Sequence, residues 1–230
     1  MEGIPEDVKA YVLSEVESSH ADDRVGVSEL GGCLRKAWFK RRIPRPVNFE
    51  SAFRMFVGRL FHIYIEKGYE KTEVSVQHKV GKGVIVGKID AIVGDTAIDF
   101  KSKRNIRFIS ERGPQERDVN QVKFYAFAAN LQNAKLIYYK IDPKVEGVVR
   151  NTEEFLQKLK RGIVLEAIKS PRISFDIEMH DVTNVVRNYV TRALILFDAL
   201  EDDRPPALET PPPPWECKFC EFREICKAFP

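Results

Sequence analysis

The segment GKIDAIVGDTAIDFK, residues 87–101, predicts a β-hairpin that carries two acidic side chains and a lysine on one face. The Gly-Asp pair at 94–95 forms an acceptable two-residue turn of the primed type. Pairing across that turn places Asp90 directly opposite Asp99. Lys101 lies two residues beyond Asp99 and therefore emerges on the same face of its strand. The other face is apolar and core-like, with Ile89, Ala91, Val93, Ile98 and Phe100.

The facing carboxylates predict a binding site for a divalent cation. Facing side chains have Cβ atoms about 4.5–5.5 Å apart, and like charges at that separation destabilise a sheet unless something compensates them. Mg²⁺ or Mn²⁺ is an economical compensation because both ions prefer carboxylate oxygens. Lys101 beside such an ion can stabilise the attacking nucleophile and the charge that develops on a phosphate. The alternative is a surface hairpin with a solvated Asp90 and a structural Asp99–Lys101 pair.

Further side chains are candidates to complete a catalytic site. His62 lies in an apolar stripe of the helix that precedes the sheet, which favours an inward-facing role as a third metal ligand. Gln121 and Tyr125 are four residues apart on the next helix and share a face, where both can orient a phosphate, a water or Lys101. Glu66, one turn beyond His62, can assist. Each of these signals alone is weak, because isolated helical histidines and Gln/Tyr pairs are usually structural.

The four cysteines predict a second metal centre. Cys217, Cys220 and Cys226 lie close together near the C-terminus, whereas Cys33 lies near the N-terminus. A disulfide framework is disfavoured in a cytoplasmic protein of this size, and a third nearby cysteine argues against a simple redox pair. Four thiolates suit either structural Zn²⁺ or an iron–sulfur cluster, and their spacing does not firmly separate the two. Either centre would tie the C-terminal tail to the N-terminal region.

Composition indicates a folded chain without a membrane span. The 230 residues are 43% hydrophobic and 31% charged, which is enough for a substantial core. No apolar run approaches the roughly 18 residues that a span requires. The N-terminus lacks the pattern of a signal peptide, so we expect a cytoplasmic location.

Local basic clusters indicate nucleic-acid binding more strongly than the net charge of +3 does. Clustered basic side chains with aromatic neighbours suit phosphate contact combined with base stacking. The predicted DNA contacts are Arg35, Lys36, Arg41, Arg42, Lys103, Arg104 and Arg107. The alternative is a solvated basic face above buried aromatic rings.

Hydrophobic periodicity predicts an α/β fold in which a mixed sheet is flanked by helices. The predicted helices are residues 5–18, a short helix that Ser28 caps and that runs through Cys33 to Phe39, a long helix that Ser51 caps and that runs to about Lys71, and residues 117–131, 152–169 and 181–200. The predicted strands cover residues 73–80, 84–93, 96–101, 134–141 and 145–150. Residues 102–117 are predicted to form a loop.

Taken together, His62, Asp90, the Asp99–Lys101 motif, the Gln121–Tyr125 pair and the four cysteines resemble one known group of proteins. They resemble the RecB-like branch of the PD-(D/E)xK nucleases that carries an iron–sulfur cluster. Within it, the short chain looks like the CRISPR-associated exonucleases, the fourth family of Cas proteins. Two positions depart from the family pattern: Asp99 stands where this branch usually has glutamate, and Ile89 replaces the proline of the signature.

The resemblance covers about residues 28–228 and implies a domain organisation. A restriction-endonuclease-like core would occupy about 48–200 within a single domain of residues 1–230. An iron–sulfur subdomain would be formed by about 20–47 together with 201–230. The N- and C-terminal segments would then be joined by the four-cysteine cluster.

The same resemblance implies ligands, cofactors and an activity. Mg²⁺ or Mn²⁺ would be held by His62, Asp90, Asp99 and the Phe100 carbonyl, and Lys101 would be the catalytic lysine. The cysteines would hold a [4Fe–4S] cluster, or less often [2Fe–2S]. The activity would be cleavage of single-stranded DNA, typically from a 5′ end, to trim new spacers alongside the CRISPR integrase.

Two other functions are compatible with the sequence. One is a repair or viral relative that cuts single strands without any CRISPR role. The other is a non-catalytic DNA-binding scaffold subunit that uses its cysteine centre structurally. The sequence leaves oligomeric state open.

Overall fold

A mixed β-sheet lies at the centre of the structure, a computed structural model that describes residues 4–16, 21–43, 48–145, 149–208 and 214–229. Within these residues the sheet has six strands. They are β1 Arg24–Gly26, β2 Lys71–Val80, β3 Gly83–Val93, β4 Thr96–Lys103, β5 Asn133–Lys140 and β6 Arg172–Ile177. The pairs β1–β3 and β4–β5 are parallel, whereas β2–β3, β3–β4 and β5–β6 are antiparallel.

Helices flank this sheet and bury it in two hydrophobic cores. In the described ranges they are α1 Glu6–Ser14, α2 Val27–Leu30, α3 Leu34–Arg42, α4 Phe49–Ile65, α5 Arg107–Arg112, α6 Glu116–Ala128, α7 Thr152–Lys169, α8 Val182–Glu201, α9 Pro214–Lys218 and α10 Arg223–Cys226, with a 3-10 turn at Glu66–Gly68. One core joins α1, α4 and α7 to strand residues such as Phe100. The other joins α2, α3, α6 and α8 to strand residues such as Ile85. The predicted α/β fold, a mixed sheet flanked by helices, is confirmed.

Strand β3 changes its partner halfway along one edge. Its other edge pairs with β2 over almost its whole length. On the changing edge, residues 84–86 pair with β1 and residues 91–93 pair with β4. Between them, residues 87–90 are paired with neither β1 nor β4, so the sheet opens at Asp90. This opening gives side chains from other elements access to the centre of the sheet.

The hairpin has the predicted register, but the residues predicted to form its apolar face do not all enter the same hydrophobic core. The pairs Ala91↔Ile98 and Val93↔Thr96 confirm the register, and Gly94 adopts the positive φ of 56° that the turn requires. Ala91, Ile98 and Phe100 enter one core, whereas Ile89 enters the other. Val93, beside the turn, is exposed rather than core. The side-chain alternation changes near Asp90, where Glu73 on the neighbouring strand has a φ of 51°.

Several predicted element boundaries were wrong because short elements carry little periodic signal. The strands β1 and β6 were not predicted, and α5 lies inside the predicted loop. Helix α4 starts after Asn48, whose side chain accepts a hydrogen bond from the Ser51 amide at 2.9 Å, so Ser51 is not the cap. Likewise, Ser28 lies inside α2. Residues 17–18 of the first predicted helix and 146–148 of the predicted strand 145–150 lie outside the described residues.

The N- and C-terminal segments meet around α3. The Arg35 guanidinium donates hydrogen bonds to the carbonyls of Pro206 at 2.7 Å and Phe229 at 2.8 Å. The Trp38 indole donates to the Ala199 carbonyl at 3.0 Å. The Phe39 ring stacks on Phe222 with centroids 5.5 Å apart. These contacts hold the C-terminal tail against α3 through protein groups.

No helix in the described part of the chain is both long and apolar enough to cross a membrane.

Candidate active site

Asp90 occupies the opening in the sheet and is fixed there by the backbone of β4. The β3–β4 ladder ends at Ala91↔Ile98, one pair before the predicted Asp90–Asp99 pair. Asp90 Oδ2 instead accepts a hydrogen bond from the Phe100 amide at 2.6 Å. Asp90 is 8% exposed and Asp99 only 2%. The two carboxylates are therefore buried groups of the protein interior, and the surface-hairpin alternative is excluded.

His62 and Glu66 reach Asp90 from the end of α4. His62 Nδ1 lies 3.4 Å from Asp90 Oδ1 and 3.6 Å from Glu66 Oε1. One ligand atom from each residue lies within 4.8 Å of the other two. Among the described residues this is the one group of three such side chains at that spacing. His62 lies beside Asp90, as the sequence suggested, and Glu66 lies at a similar distance from His62.

Lys101 is held by contacts from β4 and α6. Its Nζ lies 2.9 Å from Asp99 Oδ2, an ion pair whose geometry does not make a hydrogen bond. The same Nζ donates to Gln121 Oε1 at 3.0 Å. Gln121 Nε2 donates to the Tyr125 hydroxyl at 2.8 Å. Gln121 and Tyr125 thus form a chain that orients the lysine.

Tyr125 can approach the sheet because residue 87 is glycine. A Cβ at Gly87 would lie 2.5 Å from Tyr125 Cε1 and 3.2 Å from Val27 Cγ2. Real Cβ atoms do not approach other heavy atoms as closely as 2.5 Å. The glycine three residues before Asp90 is therefore a packing requirement of the site.

Asp118 and Tyr138 also belong to this cluster, although sequence analysis did not select them. Buried Asp118 accepts a hydrogen bond from the Tyr138 hydroxyl at 2.9 Å. Its carboxylate lies 3.6 Å from Lys103 Nζ and 4.0 Å from Lys101 Nζ. The available signal was an acidic residue three positions before Gln121, on the same face of one helix. Tyr138 had no comparable signal, because a strand tyrosine is usually core.

Burial and mutual repulsion perturb the acids of the cluster. Burial, with added repulsion from Glu73 and Asp90, raises the pKa of Glu66 to about 7. Burial, opposed by Lys101 and reinforced by Asp90, raises the pKa of Asp99 to about 6. For His62, burial lowers the pKa, but the nearby carboxylates outweigh it and the pKa is raised.

These residues fit a divalent cation. Glu66 Oε1 is buried without a hydrogen-bond partner, and an unpaired buried carboxylate oxygen is costly to the fold. Carboxylate oxygens and an imidazole nitrogen are donors that Mn²⁺ accepts, and carboxylates suit Mg²⁺. Glu66 Oε1 therefore lacks a positively charged partner, which a bound cation would supply.

The four cysteines gather where the C-terminal tail meets α3. Cys33, Cys217 and Cys220 line one cavity of about 390 Å³. Cys226 Sγ accepts a weak hydrogen bond from Arg35 at 3.9 Å. Burial raises the pKa of the Cys220 thiol, and Cys33 raises it further. The Cys33 and Cys220 thiols are close enough to influence one another, although the described residues place no three cysteine sulfur atoms within 4.8 Å.

The predicted DNA-contacting residues divide into buried and exposed groups. Arg35 is buried and Arg41 partly buried, and Arg41 forms an ion pair with Glu29 at 2.6 Å. Their guanidinium groups are hydrogen-bonded within the protein, and their contact with DNA stays a prediction. Arg42 is similarly bound to Asp22 and Asp203.

The other predicted contacts lie nearer to solvent. Lys36 is partly exposed and pairs with Glu221 at 2.9 Å. Lys103 is partly exposed and lies beside Asp118. Arg104 and Arg107 are exposed and make surface ion pairs with Asp142 and Glu111. Such surface pairs are weak enough to exchange for phosphate contacts.

The chain matches one protein-family model and resembles solved structures in its fold. The family described as the PD-(D/E)XK nuclease superfamily matches residues 11–227. The crystal structure of SSO0001 has a TM-score of 0.61 and 19% sequence identity, covering 96% of this chain and 95% of that chain. At such identity the likeness concerns the fold alone. A phage-related exonuclease from Haemophilus somnus 129PT has a TM-score of 0.44 and 10% identity, covering 78% of this chain and 96% of that chain. No curated protein matches the chain.

Proposed function

Because the chain belongs to the PD-(D/E)XK nuclease superfamily, we propose that it is a metal-dependent nuclease that hydrolyses phosphodiester bonds of single-stranded DNA. The observation that carries the proposal is the group of His62, Glu66 and Asp90 beside the ion pair of buried Asp99 and partly buried Lys101. A cation bound there would act as a Lewis acid on the phosphate and lower the pKa of the attacking water. His62, Asp90, Asp99 and the Phe100 carbonyl are the ligands that the family resemblance implies.

Lys101 is suited to electrostatic stabilisation rather than to proton abstraction. Burial lowers its pKa, but Asp99, Asp118 and Asp90 outweigh burial and raise it. The ammonium group therefore stays charged at neutral pH. A fixed positive charge at this position would stabilise the negative charge that develops on the phosphate in the transition state. Gln121, held by Tyr125, keeps the ammonium group directed into the site.

The surface of α5 supports a single-stranded substrate. This helix directly follows β4, which carries Asp99 and Lys101, and buried Ile106 and Ile109 anchor it to the core. Phe108 is 52% exposed, and the Arg112 guanidinium lies 4.8 Å from its ring centroid. Exposed aromatic rings beside arginines stack on unpaired bases, whose faces are hidden in a duplex.

The nuclease proposal is tested by Mn²⁺-dependent degradation of single-stranded DNA. We expect Asp99→Ala and Lys101→Ala each to lower turnover at least about 100-fold, the loss typical when a stabilising group in an active site is removed. Asp95→Ala, an exposed acid in the turn of the same hairpin, is the matched control and should keep wild-type turnover. Equal activity in all four proteins would contradict the proposal.

The preference for a 5′ end and the role in spacer trimming extend the proposal and rest on the family resemblance. We expect linear single strands to be shortened and circular single strands to resist, because an exonuclease needs a free end. A block at the 5′ end should protect more than one at the 3′ end. Rapid cutting of circles would identify an endonuclease instead. A CRISPR integrase encoded beside this chain would favour the spacer role, in the cytoplasm, over repair.

The cysteine centre is proposed to hold an iron–sulfur cluster, with [4Fe–4S] favoured over [2Fe–2S] and Zn²⁺. The support is the gathering of all four cysteines where the tail meets α3. Protein purified without oxygen should be brown, and Cys220→Ser should lose most of the visible absorbance. Colourless protein that contains one zinc ion would contradict the cluster.

A further inference from the structure

The active-site face of β4 carries a second lysine, Lys103, that the proposed chemistry does not use. Asp99, Lys101 and Lys103 alternate along the strand, so their side chains emerge on the same face. Cα atoms two residues apart in a strand are separated by about 6.5 Å. The Lys103 side chain is 28% exposed, so it can reach a group from solvent beside the one that Lys101 reaches.

Asp118 lies between the two lysines and holds both. Its Oδ1 lies 4.0 Å from Lys101 Nζ, and its Oδ2 lies 3.6 Å from Lys103 Nζ. The Tyr138 hydroxyl donates to the same Oδ2 at 2.9 Å, which fixes the carboxylate from the neighbouring strand β5. One buried acid therefore offsets the repulsion between two cations that are close in space.

The beginning of α6 also positions Lys103. Its Nζ donates to Gln115 Oε1 at 3.3 Å, and the Gln115 amide donates to the Tyr138 hydroxyl at 3.3 Å. An ammonium group has three donors, and among the described residues Lys103 uses only this one in a hydrogen bond. The lysine is therefore held in place while donors remain for a ligand.

Arg117 of α6 adds a third positive charge near this lysine. It lies one helical turn before Gln121, which accepts a hydrogen bond from Lys101, so Arg117 and Gln121 share a face of the helix. Its side chain packs over Gly31, where a Cβ would lie 2.8 Å from Arg117 Cγ. Arg117 is exposed and also lines the cavity of the cysteines. In the described part of the chain no acid pairs with its guanidinium group, which is therefore available to an anion.

The charges around Lys103 favour a bound anion. Lys101 has two acids within 4.0 Å, whereas Lys103 has only Asp118 at that distance among the described residues. Burial lowers the pKa of Lys103, and Asp118 opposes this effect. Repulsion from Lys101 and Arg117 lowers the pKa again. A phosphate beside Lys103 would supply the negative charge that is lacking and would accept charge-assisted hydrogen bonds from both cations.

We propose that Lys103 and Arg117 form a subsite for one backbone phosphate of the DNA strand, next to the phosphate that is cut. The inference rests on the proposed function, because it concerns how the same site holds its single-stranded substrate. Lys103 ends β4, between Lys101 and helix α5, whose exposed Phe108 can stack on a base. A contact with a neighbouring phosphate would fix the register of the strand without taking part in the chemistry.

The test measures binding of a labelled single-stranded oligonucleotide to the full chain by fluorescence anisotropy, in a chelator that prevents cutting. We expect Lys103→Ala and Arg117→Ala each to weaken affinity about tenfold, the loss typical of a hydrogen bond to a charged group. Lys103→Arg keeps the charge and should bind within about threefold of wild type. The double variant should reduce the slope of log affinity against log salt by about 0.7, because one phosphate contact is lost.

Cleavage kinetics in Mn²⁺ separate this role from that of Lys101. Lys103→Ala and Arg117→Ala should raise KM while kcat stays within about threefold of wild type, because they remove binding that is equal in the ground state and the transition state. Lys101→Ala should instead lower kcat, since its charge stabilises the transition state.

Lys160→Ala is the matched control. Lys160 is an exposed lysine of α7, which packs in a different hydrophobic core from α6. Its loss changes the net charge by the same amount, but it should leave DNA affinity within about twofold of wild type, since distant exposed charges are well screened. Melting temperatures show whether each variant folds, and the exposed position of Arg117 keeps the test decisive if Lys103→Ala is unstable.

The outcomes separate this inference from the proposed function. If wild type binds and cuts single strands but Lys103→Ala or Arg117→Ala binds as well as Lys160→Ala does, only the subsite is overturned. It is also overturned if affinity falls with no change in the salt slope, because the two residues would then act on the fold and not on a phosphate. If the variants show the expected losses but wild type does not cut DNA, the phosphate contact is supported and the nuclease function fails. If wild type neither binds nor cuts single strands, both fail.

Discussion

Single residues in the site depend on partners from distant parts of the chain. Lys101 forms an ion pair with Asp99, two residues away. Its hydrogen bond to Gln121 orients the ammonium group, and the Asp118 carboxylate 4.0 Å away adds a second negative charge. Asp118 is itself oriented by the Tyr138 hydroxyl. A lysine held by so many acceptors keeps its charge and its place, which is what stabilisation of a phosphate requires.

Glu66 gives a prediction about pH for the metal-free protein. Its pKa is raised from 4.5 to about 7 in the folded chain, so the folded state holds the proton more tightly than the unfolded state. The stability from this proton is complete below the unfolded pKa and is lost as pH rises through about 7. The raised pKa of His62 acts in the same direction. In a chelator, the free energy of unfolding should fall by up to about 3 kcal/mol between pH 5 and 8.

Urea denaturation of two variants checks this pH dependence. Glu66→Gln should flatten the slope, because its amide does not titrate. Glu50→Gln, an exposed acid in α4, should keep the wild-type slope. Added Mn²⁺ should stabilise wild type more at pH 8 than at pH 5, because the ion binds the deprotonated groups. A slope identical in wild type and Glu66→Gln would contradict the assignment.

At the scale of secondary-structure elements, the site depends on how closely α6 packs on the opened sheet. Helix α6 carries Asp118, Gln121 and Tyr125 on the face that meets β3 and β4. The switch of β3 from β1 to β4 leaves the space that these side chains enter. Gly87 lies in this space, and its missing side chain lets the Tyr125 ring reach Gln121.

Gly87→Ala should therefore impair both stability and activity. The new methyl group would overlap Tyr125, and overpacking of this kind typically costs about 1–3 kcal/mol. Displacement of Tyr125 should also lower turnover, because Gln121 would lose the partner that orients it. Thermal unfolding and DNA cleavage assays measure the two effects. Gly68→Ala is the control, since a Cβ there meets nothing within 4 Å. Equal behaviour of the two variants would contradict the packing argument.

At the scale of the whole molecule, the two ends of the chain form one structure around α3. Arg35, Trp38 and Phe39 contact Pro206, Ala199 and Phe222 through hydrogen bonds and ring stacking. The cysteines occupy the same junction. A metal centre there would therefore reinforce a contact that the protein already makes.

Arg35→Ala tests how much protein contacts alone contribute to this junction. Loss of the guanidinium leaves the buried Pro206 carbonyl and the partly buried Phe229 carbonyl without this donor, so we expect a destabilisation of about 2–4 kcal/mol. The C-terminal tail should also be cleaved faster in limited proteolysis. Lys36→Ala, on the same helix but in a partly exposed ion pair, should change stability by less than about 1 kcal/mol. If both variants behave alike, the buried contacts of Arg35 are not what holds the tail.

The sequence by itself determined the hairpin, its register and the long helices, because each follows from local periodicity and a turn that few residues can form. It also identified His62, Asp90, Gln121 and Tyr125 as candidate site residues, because these residue types can bind a metal ion or orient a phosphate by hydrogen bonding. Only the tertiary structure decided which side chains meet across elements: Glu66 with Asp90, Asp118 with Lys103, and Arg35 and Arg41 with partners within the protein. Those contacts join elements far apart in the chain, and their distances depend on packing, which no local pattern encodes.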